Sequence, residues 1–181
     1  MRAWRTRSRR TLLNRPPWLA VESHAVELPD GHVVDDWPWV VTPDYVNVVA
    51  VTEAGLFLVF RQTKYAVGGT TLAPVGGYLE PGERPLSTAR RELLEETGHQ
   101  TDHWTPLGSY VVDGNRGCGT GHLFLARDTR CVADLRSDDL EEQRQLLLNR
   151  AEVKDALRAG EFKVMCWATA MALALLVLDE G

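Results

Sequence analysis

Short apolar runs, several of them alternating with polar residues, recur through the first two thirds of the chain and predict β-strands. Turn signals rich in glycine, proline and aspartate separate these runs, for example at residues 29–31 and 53–55. The predicted strands cover residues 21–28, 32–34, 46–52, 56–61, 70–75, 107–112 and 122–126.

One predicted helix, at residues 85–97, interrupts the strands. Pro85 suits its first turn, where the missing N–H costs little, and Gly98 suits a left-handed C-terminal cap. The stripe expected to pack on the core is Leu86, Ala89, Leu93 and Thr97. Two more helices are predicted at residues 150–159 and 162–178, the second mostly buried. This order predicts an α/β fold with a mixed sheet between helices.

The composition is that of a single soluble domain with a sizeable core. The chain has 181 residues, of which 44% are hydrophobic and 25% are charged. Its net charge of −5 argues against stable nucleic-acid binding along a groove. The apolar stretch at residues 164–178 is shorter than the roughly 20 residues of a membrane span, so no membrane association is expected. Cys118, Cys131 and Cys166 lack the spacing of a zinc site or disulfide framework, which favours reduced thiols and a cytoplasmic location.

Residues 1–18 are set apart by their charge. Arginines occupy positions 2, 5, 7, 9 and 10, and no apolar segment follows that would make a secretory signal. The run predicts a mobile, solvated basic arm, with a substrate or partner contact as the alternative. Residues 19–43 then predict a small β-meander. The nearby rings of Trp18, Trp37 and Trp39 could form a subsidiary core, a dimer surface or a stacking platform for a nucleobase.

Three glutamates, Glu92, Glu95 and Glu96, carry most of the chemical information. Their i, i+3 and i+4 spacing places them within an arc of about 100° on the predicted helix. Like charges at this spacing repel each other, so an ordinary solvated helix would gain nothing from them. A hard divalent cation removes the conflict, because Mg²⁺ takes oxygen ligands and usually retains waters and substrate phosphates. The cluster therefore predicts a metal-assisted phosphate site.

The segment around these glutamates resembles the Nudix box, G-x5-E-x7-R-E-U-x-E-E-x-G-U, in which U is apolar. The matching residues are Gly77, Glu83, Arg91, Glu92, Leu93, Glu95, Glu96 and Gly98. Only the last position departs, where His99 replaces an aliphatic residue. The resemblance implies a Nudix-type α/β/α sandwich in which the box forms a loop, a helix and a second loop.

Beyond the box, the chain is similar to the ADP-ribose pyrophosphatase branch of this family. Residues 19–43 look like the N-terminal β-meander of that branch, and residues 60–65 look like its R-Q-x-R segment, with Lys64 replacing the second arginine. The resemblance implies a Nudix hydrolase domain over residues 44–181. It also implies a homodimer, because the N-terminal piece of this branch commonly crosses to the partner subunit and helps line its site.

The family pattern also implies a metal shell. The Gly76 carbonyl and the carboxylates of Glu92, Glu95 and Glu96 would hold Mg²⁺ or Mn²⁺. A second acidic segment, at residues 138–142, is either a solvated loop or, as often in this family, a loop that completes the shell and supplies a base. The best matches in it are, in order, Glu141, Glu142 and Asp139.

Other residues would support the box or contact the substrate. Arg91 would hold the glutamates by charge-assisted hydrogen bonds, and the box support would come from Gly77, Glu83 and Gly98. The base that takes the proton from the attacking water stays open between Glu141, Glu142 and a carboxylate of the box. The candidate contacts to the diphosphate or ribose are Arg61, Lys64 and Arg116. The five histidines show no ligand spacing, and structural roles are expected for them.

These observations predict a divalent-metal-dependent Nudix pyrophosphohydrolase of a nucleoside diphosphate linked to another moiety. The expected reaction is hydrolysis of ADP-ribose to AMP and ribose 5-phosphate. One alternative is hydrolysis of a nucleotide sugar, such as GDP-mannose, or of an oxidised nucleoside triphosphate. Another is a non-catalytic module that senses a nucleotide, although such modules typically lose box glutamates and this chain keeps all four.

Overall fold

The computed structural model describes residues 1–133 and 143–180. The strands are β1 (Arg5–Arg15), β2 (Leu19–Glu27), β3 (Val33–Val41), β4 (Tyr45–Thr52), β5 (Phe57–Lys64), β6 (Val67–Ala73), β7 (Val75–Tyr78), β8 (His99–Gln100), β9 (His103–Asp113), β10 (Gly117–Cys131) and β11 (Gln143–Leu148). The helices are α1 (Pro85–Thr97), α2 (Arg150–Arg158) and α3 (Met165–Asp179). The chain divides into unit 1, Met1–Asp44 with Tyr110–Gly121, and unit 2, Tyr45–Ser109 with His122–Gly181.

Unit 1 is built on an antiparallel meander. Strand β1 runs antiparallel to β2, from Arg5 opposite Glu27 to Arg15 opposite Leu19. Strand β2 pairs in turn with β3, and β3 meets the start of β10 in a parallel bridge between Val40 and Gly117. The sequence predicted only the first residues of β3, because acidic residues and Pro38 interrupt its apolar pattern.

The prediction of a mobile arm is wrong for Arg5–Arg15, because these residues form strand β1. Every side chain of this strand is exposed, so hydrophobic periodicity could not reveal it. Its backbone bonds to β2 along the whole strand, and Arg7 forms an ion pair with the largely buried carboxylate of Glu27. The arm is therefore solvated, as predicted, but it has regular structure.

Unit 2 holds a sheet in which β10, β4, β5 and β11 lie side by side in that order. Strand β4 has two partners along one edge. Its end pairs with β5 through Ala50 and Val51, whereas Tyr45 to Val48 pair with β7. Strand β6 pairs with β5 in turn, so β6 and β7 lie in the fork where β4 and β5 diverge. The antiparallel ladders here and the parallel bridge in unit 1 agree with the predicted mixed sheet.

The two faces of this sheet are covered by different helices. One face buries Val49, Val51, Phe57 and Val59 against α2 and α3, through residues such as Val153 and Met171. The other face buries Val46, Val48, Ala50, Leu58 and Phe60 against Ala89 and Leu93 of α1. The alternation follows from the two-residue period of a strand. Helices on both faces make the α/β/α sandwich that the sequence predicted.

The C-terminal helices differ from the prediction in detail. Asn149 caps α2 with a reciprocal capping box to Glu152. Helix α3 was expected to be mostly buried, but it buries one face only, while Met165 and Leu176 are exposed. No helix among the described residues is long and apolar enough to cross a membrane.

Candidate active site

Helix α1 fixes the direction of the box side chains. It begins at Pro85, as predicted, and ends at Gly98, whose φ of 67° is left-handed and whose N–H bonds to the Leu94 carbonyl at 2.8 Å. Ala89 and Leu93 are fully buried against the sheet. Because the helix period places Glu92, Glu95 and Glu96 on another face, the core packing of α1 turns these carboxylates toward β7 and solvent.

Arg91 is the hub of the carboxylate cluster. Its Nε and one Nη donate to the two oxygens of Glu83, at 3.2 and 3.1 Å. Its other Nη donates to Glu92 at 2.8 Å and to Glu95 at 3.1 Å, and a further bond reaches the Tyr78 carbonyl at 3.3 Å. A planar guanidinium can satisfy several acceptors at fixed angles, which an ammonium cannot do. The predicted bonds from Arg91 to the box glutamates are thus present in the geometry.

The network shifts the proton affinities of its members. Hydrogen bonds from Arg91 lower the pKa of Glu83 to about 2. The bonds to Glu83 raise the pKa of Arg91 above its ordinary value. Burial raises the pKa of Glu92, whose side chain is only 12% exposed, and the positive charge of Arg91 offsets part of that rise. Glu83 therefore stays ionised, while Glu92 is a desolvated carboxylate that an additional cation would stabilise.

Two glycines bring the backbone of β7 close to these carboxylates. A Cβ at Gly77 would collide with the carboxylate of Glu92, and one at Gly76 would collide with the side-chain amide of Asn47. The N–H of Gly76 donates to Glu96 at 3.2 Å. Glycine is needed here for close approach, because neither residue has a positive φ.

The available donors are oxygen atoms, which are the ligands that a hard divalent cation prefers. Carboxylates from Glu92, Glu95 and Glu96 and the backbone of Gly76 lie along one edge of α1 and β7, and one of the carboxylates is desolvated. Within the described part of the chain, however, no three His, Cys, Asp or Glu side chains converge on one point. Arg91 accounts for this arrangement, because it draws Glu92 and Glu95 onto its own N–H groups.

A small polar cavity of about 80 Å³ lies beside Gly76 and Glu96, at the fork between β4 and β5. Lys64, one of the predicted substrate contacts, lines it. Not predicted from the sequence are the remaining lining residues, which include Asn47, Gln62, Gln143 and Trp167. The sequence did contain one signal for Gln62. This residue lies two positions before Lys64 on a strand, and the alternation of β5 predicts that the two side chains share a face.

The side chain of Arg61 points away from the cavity that Gln62 lines. Its guanidinium donates to Glu161 at 2.7 Å, beside a separate open cavity lined by residues of α2. The structure therefore does not bring Arg61 together with Lys64 and the box. Arg116 lies in unit 1, where it bonds to Asp113 at 3.3 Å. Glu141, Glu142 and Asp139 lie outside the described residues, so their predicted roles remain predictions.

Two larger cavities have none of the box carboxylates in their linings. One, of about 370 Å³, contacts Arg90, Leu94 and Trp104 and includes none of the predicted site residues. The other, of about 380 Å³, belongs to unit 1 and is lined by aromatic rings, among them Trp4, Trp37 and Trp39. Cavity volume therefore does not identify the candidate active site, which is identified by the carboxylates of the box.

Comparison with known proteins decides the family. A sequence model described as the NUDIX domain matches residues 41–168. The chain belongs to the Nudix family. A second model, described as the nucleoside diphosphate sugar hydrolase N-terminal domain, matches residues 4–40. This match includes the whole of β1.

Individual relatives give a finer comparison than the family model. This Nudix protein is 31% identical over 157 residues to the ADP-ribose pyrophosphatase of Bacillus subtilis (strain 168), covering 86% of this chain and 83% of that protein. It is 30% identical over 129 residues to the methanol dehydrogenase activator of Bacillus methanolicus, covering 70% and 69%. A crystal structure of an ADP compounds hydrolase matches with a TM-score of 0.82 at 20% identity, covering 99% of this chain and 96% of that one. The last comparison supports the fold alone.

These findings confirm the predicted fold, family and branch. They also confirm an enzyme, a Nudix pyrophosphohydrolase acting on a nucleoside diphosphate linked to another moiety. Nudix enzymes generally use divalent metal cations. The identity of the metal and the roles of individual residues are matters of proposal.

Proposed function

We propose that this Nudix enzyme hydrolyses ADP-ribose to AMP and ribose 5-phosphate. The observation that carries the proposal is the Arg91 network, which holds Glu83, Glu92 and Glu95 in one cluster beside the Gly76 backbone. The resemblance to an ADP-ribose pyrophosphatase over most of both chains supports the substrate.

The proposed cation is Mg²⁺ or Mn²⁺, held by Glu92, Glu96 and the Gly76 carbonyl, with Glu95 sharing the metal or the attacking water. When bound, it would polarise a phosphorus–oxygen bond and neutralise developing negative charge. Arg91 would keep the carboxylates aligned through the bonds described above, and Gly76 would orient Glu96 through its N–H. Lys64, which lines the adjacent cavity, would contact a phosphate.

In the proposed reaction, the oxygen of one water forms a bond to a phosphorus atom of the diphosphate. The bond from that phosphorus to the bridging oxygen breaks, and the bridging oxygen leaves with the other phosphate. A carboxylate takes the proton of the water, and Glu95, Glu141 and Glu142 remain the candidates for this base. We also retain Arg116 as a candidate substrate contact.

A substrate panel tests the assignment. The purified chain with Mg²⁺ should convert ADP-ribose to AMP and ribose 5-phosphate, with little turnover of an oxidised nucleoside triphosphate. Repeating the reaction in ¹⁸O-labelled water shows which phosphorus is attacked, because only the product of that half carries the label. A strong preference for a triphosphate would contradict the assignment to this branch.

The second candidate substrate is a nucleotide sugar. It is favoured by the match of residues 4–40 to an N-terminal domain of nucleoside diphosphate sugar hydrolases. The same panel separates the two substrates, because a nucleotide sugar cleaved with a higher kcat/KM than ADP-ribose would replace it. A sensing module without activity would bind these compounds and release no product.

We further propose a homodimer formed through residues 19–43 and β1. Strand β1 is exposed throughout and presents Leu12 and Leu13 at the surface. Sedimentation should therefore show a dimer, and Leu12→Glu with Leu13→Glu should shift it toward the monomer. A monomeric wild-type chain would contradict the proposal. The free thiols of the three cysteines suit the proposed cytoplasmic location.

A further inference from the structure

Asn47 is an unusual buried residue beside the carboxylate cluster. It is only 3% exposed, and its side-chain oxygen has no hydrogen-bond partner among the described residues. A buried amide oxygen without a partner is costly, and most such groups in folded proteins are satisfied by protein or by ordered water. The partner of this oxygen is therefore expected to be a water or another small group in the space beside it.

The strand register places Asn47 directly at the glycine of the proposed metal site. Asn47 of β4 is paired with Gly76 of β7, and its amide lies so close to Gly76 that a Cβ there would collide with it. The Gly76 N–H in turn donates to Glu96 at 3.2 Å. Asn47, Gly76 and Glu96 thus form one contiguous group across β4, β7 and α1.

The cavity that these three residues share has room for ordered water. Its volume of about 80 Å³ has room for about two or three waters, since each takes roughly 30 Å³ in the liquid. The walls provide polar partners, because Gln62 and Lys64 line it together with Asn47 and Glu96. A polar cavity with several hydrogen-bonding groups is the kind that holds water.

We propose that Asn47 is a positioning residue of the metal site, whose side-chain oxygen accepts a hydrogen bond from a water of the cation's coordination shell. This inference rests on the proposed function, because it needs a cation at Glu96 and the Gly76 carbonyl. Magnesium and its substitutes keep several waters, and outer partners of such ligands commonly change metal affinity when they are replaced. When the cation is bound, one of its waters would thereby satisfy the side-chain oxygen of Asn47.

The test is direct Mn²⁺ binding to the full chain without substrate, with free Mn²⁺ measured by electron paramagnetic resonance. Asn47→Leu should raise the Kd for Mn²⁺ by about 10- to 100-fold. Its melting temperature without metal should stay the same or rise, because an apolar group of similar size replaces an unpartnered polar one. A purely structural role predicts the reverse: a lower melting temperature and an unchanged Kd.

Thr129→Val is the matched control. Thr129 is 2% exposed, and its hydroxyl likewise lacks a partner among the described residues, but it lies on β10, where its carbonyl accepts from the Glu53 N–H, and it does not line the cavity beside Gly76. The control should leave the Kd for Mn²⁺ unchanged. Asn47→Asp keeps the shape and an acceptor oxygen, so it should bind Mn²⁺ at least as tightly as the wild type even if Asn47→Leu does not fold. Loss of Mn²⁺ affinity in Asn47→Asp would overturn the inference.

Glu96→Gln separates this inference from the function on which it rests. If Glu96→Gln weakens Mn²⁺ binding and folded Asn47→Leu does not, the role of Asn47 is wrong and the metal site stands. If Glu96→Gln binds Mn²⁺ like the wild type, the proposed metal site is wrong, and the role of Asn47 is wrong with it. Weakened binding in both variants, with Thr129→Val unchanged, is the expected result.

Discussion

Replacing Glu96 with glutamine removes one negative charge from the proposed metal shell while preserving the size of the side chain. The amide oxygen of the new residue can still accept the hydrogen bond from the Gly76 N–H. The main loss is therefore electrostatic, and the substitution isolates the role of the charge from the role of the hydrogen bond.

The expected magnitudes differ sharply for catalysis and folding. Losing part of the metal-based stabilisation should reduce kcat/KM by at least about 100-fold, which corresponds to about 2.7 kcal/mol. Folding should change by less than about 1 kcal/mol, because a neutral acceptor replaces a charged one in a retained hydrogen bond. Relief of the repulsion between Glu92 and Glu96, which are four residues apart on the helix, should offset roughly 0.2–0.5 kcal/mol of any loss in folding free energy. The melting temperature should therefore shift by less than about 4 °C.

The assay measures AMP release from ADP-ribose at saturating Mg²⁺, together with thermal unfolding of the same preparation. Glu53→Gln is the matched control, because Glu53 is an exposed carboxylate of unit 2 outside the box. The control should retain wild-type activity and melting temperature. If Glu96→Gln instead melts far lower and keeps its activity per folded molecule, Glu96 is structural and the site assignment is wrong.

Three further predictions follow from the site and its surroundings. Gly77→Ala should lower kcat/KM at least about 10-fold with a small change in melting temperature, because the new Cβ displaces the carboxylate of Glu92 and no backbone atom. Asn149→Ala should cost about 1 kcal/mol of stability by removing the cap of α2, measured by thermal unfolding, with kcat/KM unchanged. Lys64→Met should raise KM for ADP-ribose several-fold, whereas Arg61→Met should leave KM unchanged, because only Lys64 lines the cavity beside the box. An equal rise in both variants would contradict the assignment of these two side chains.

Local chemistry explains why so much of α1 was predictable. Pro85 and Gly98 set its ends through backbone conformation alone, and Leu93 identified its buried face through the helical period. Strand β11 was missed because its residues alternate irregularly between exposed and half-buried positions. Strand β1 was missed because its partner β2, not its own apolar pattern, makes it a strand.

The sequence by itself determined the spacing of Glu92, Glu95 and Glu96 on one helix, and with it the class of chemistry, because helical geometry follows from residue separation. Tertiary structure decided which distant groups meet those carboxylates. The pairing of Asn47 with Gly76 depends on the register between β4 and β7. Alternation along β5 indicates that Arg61 and Gln62 face opposite ways, but tertiary packing decides that Gln62 lines the cavity and Arg61 meets Glu161. Register is set by the packing of whole faces against the helices, so no local pattern around residue 47 could reveal its contact with Gly76.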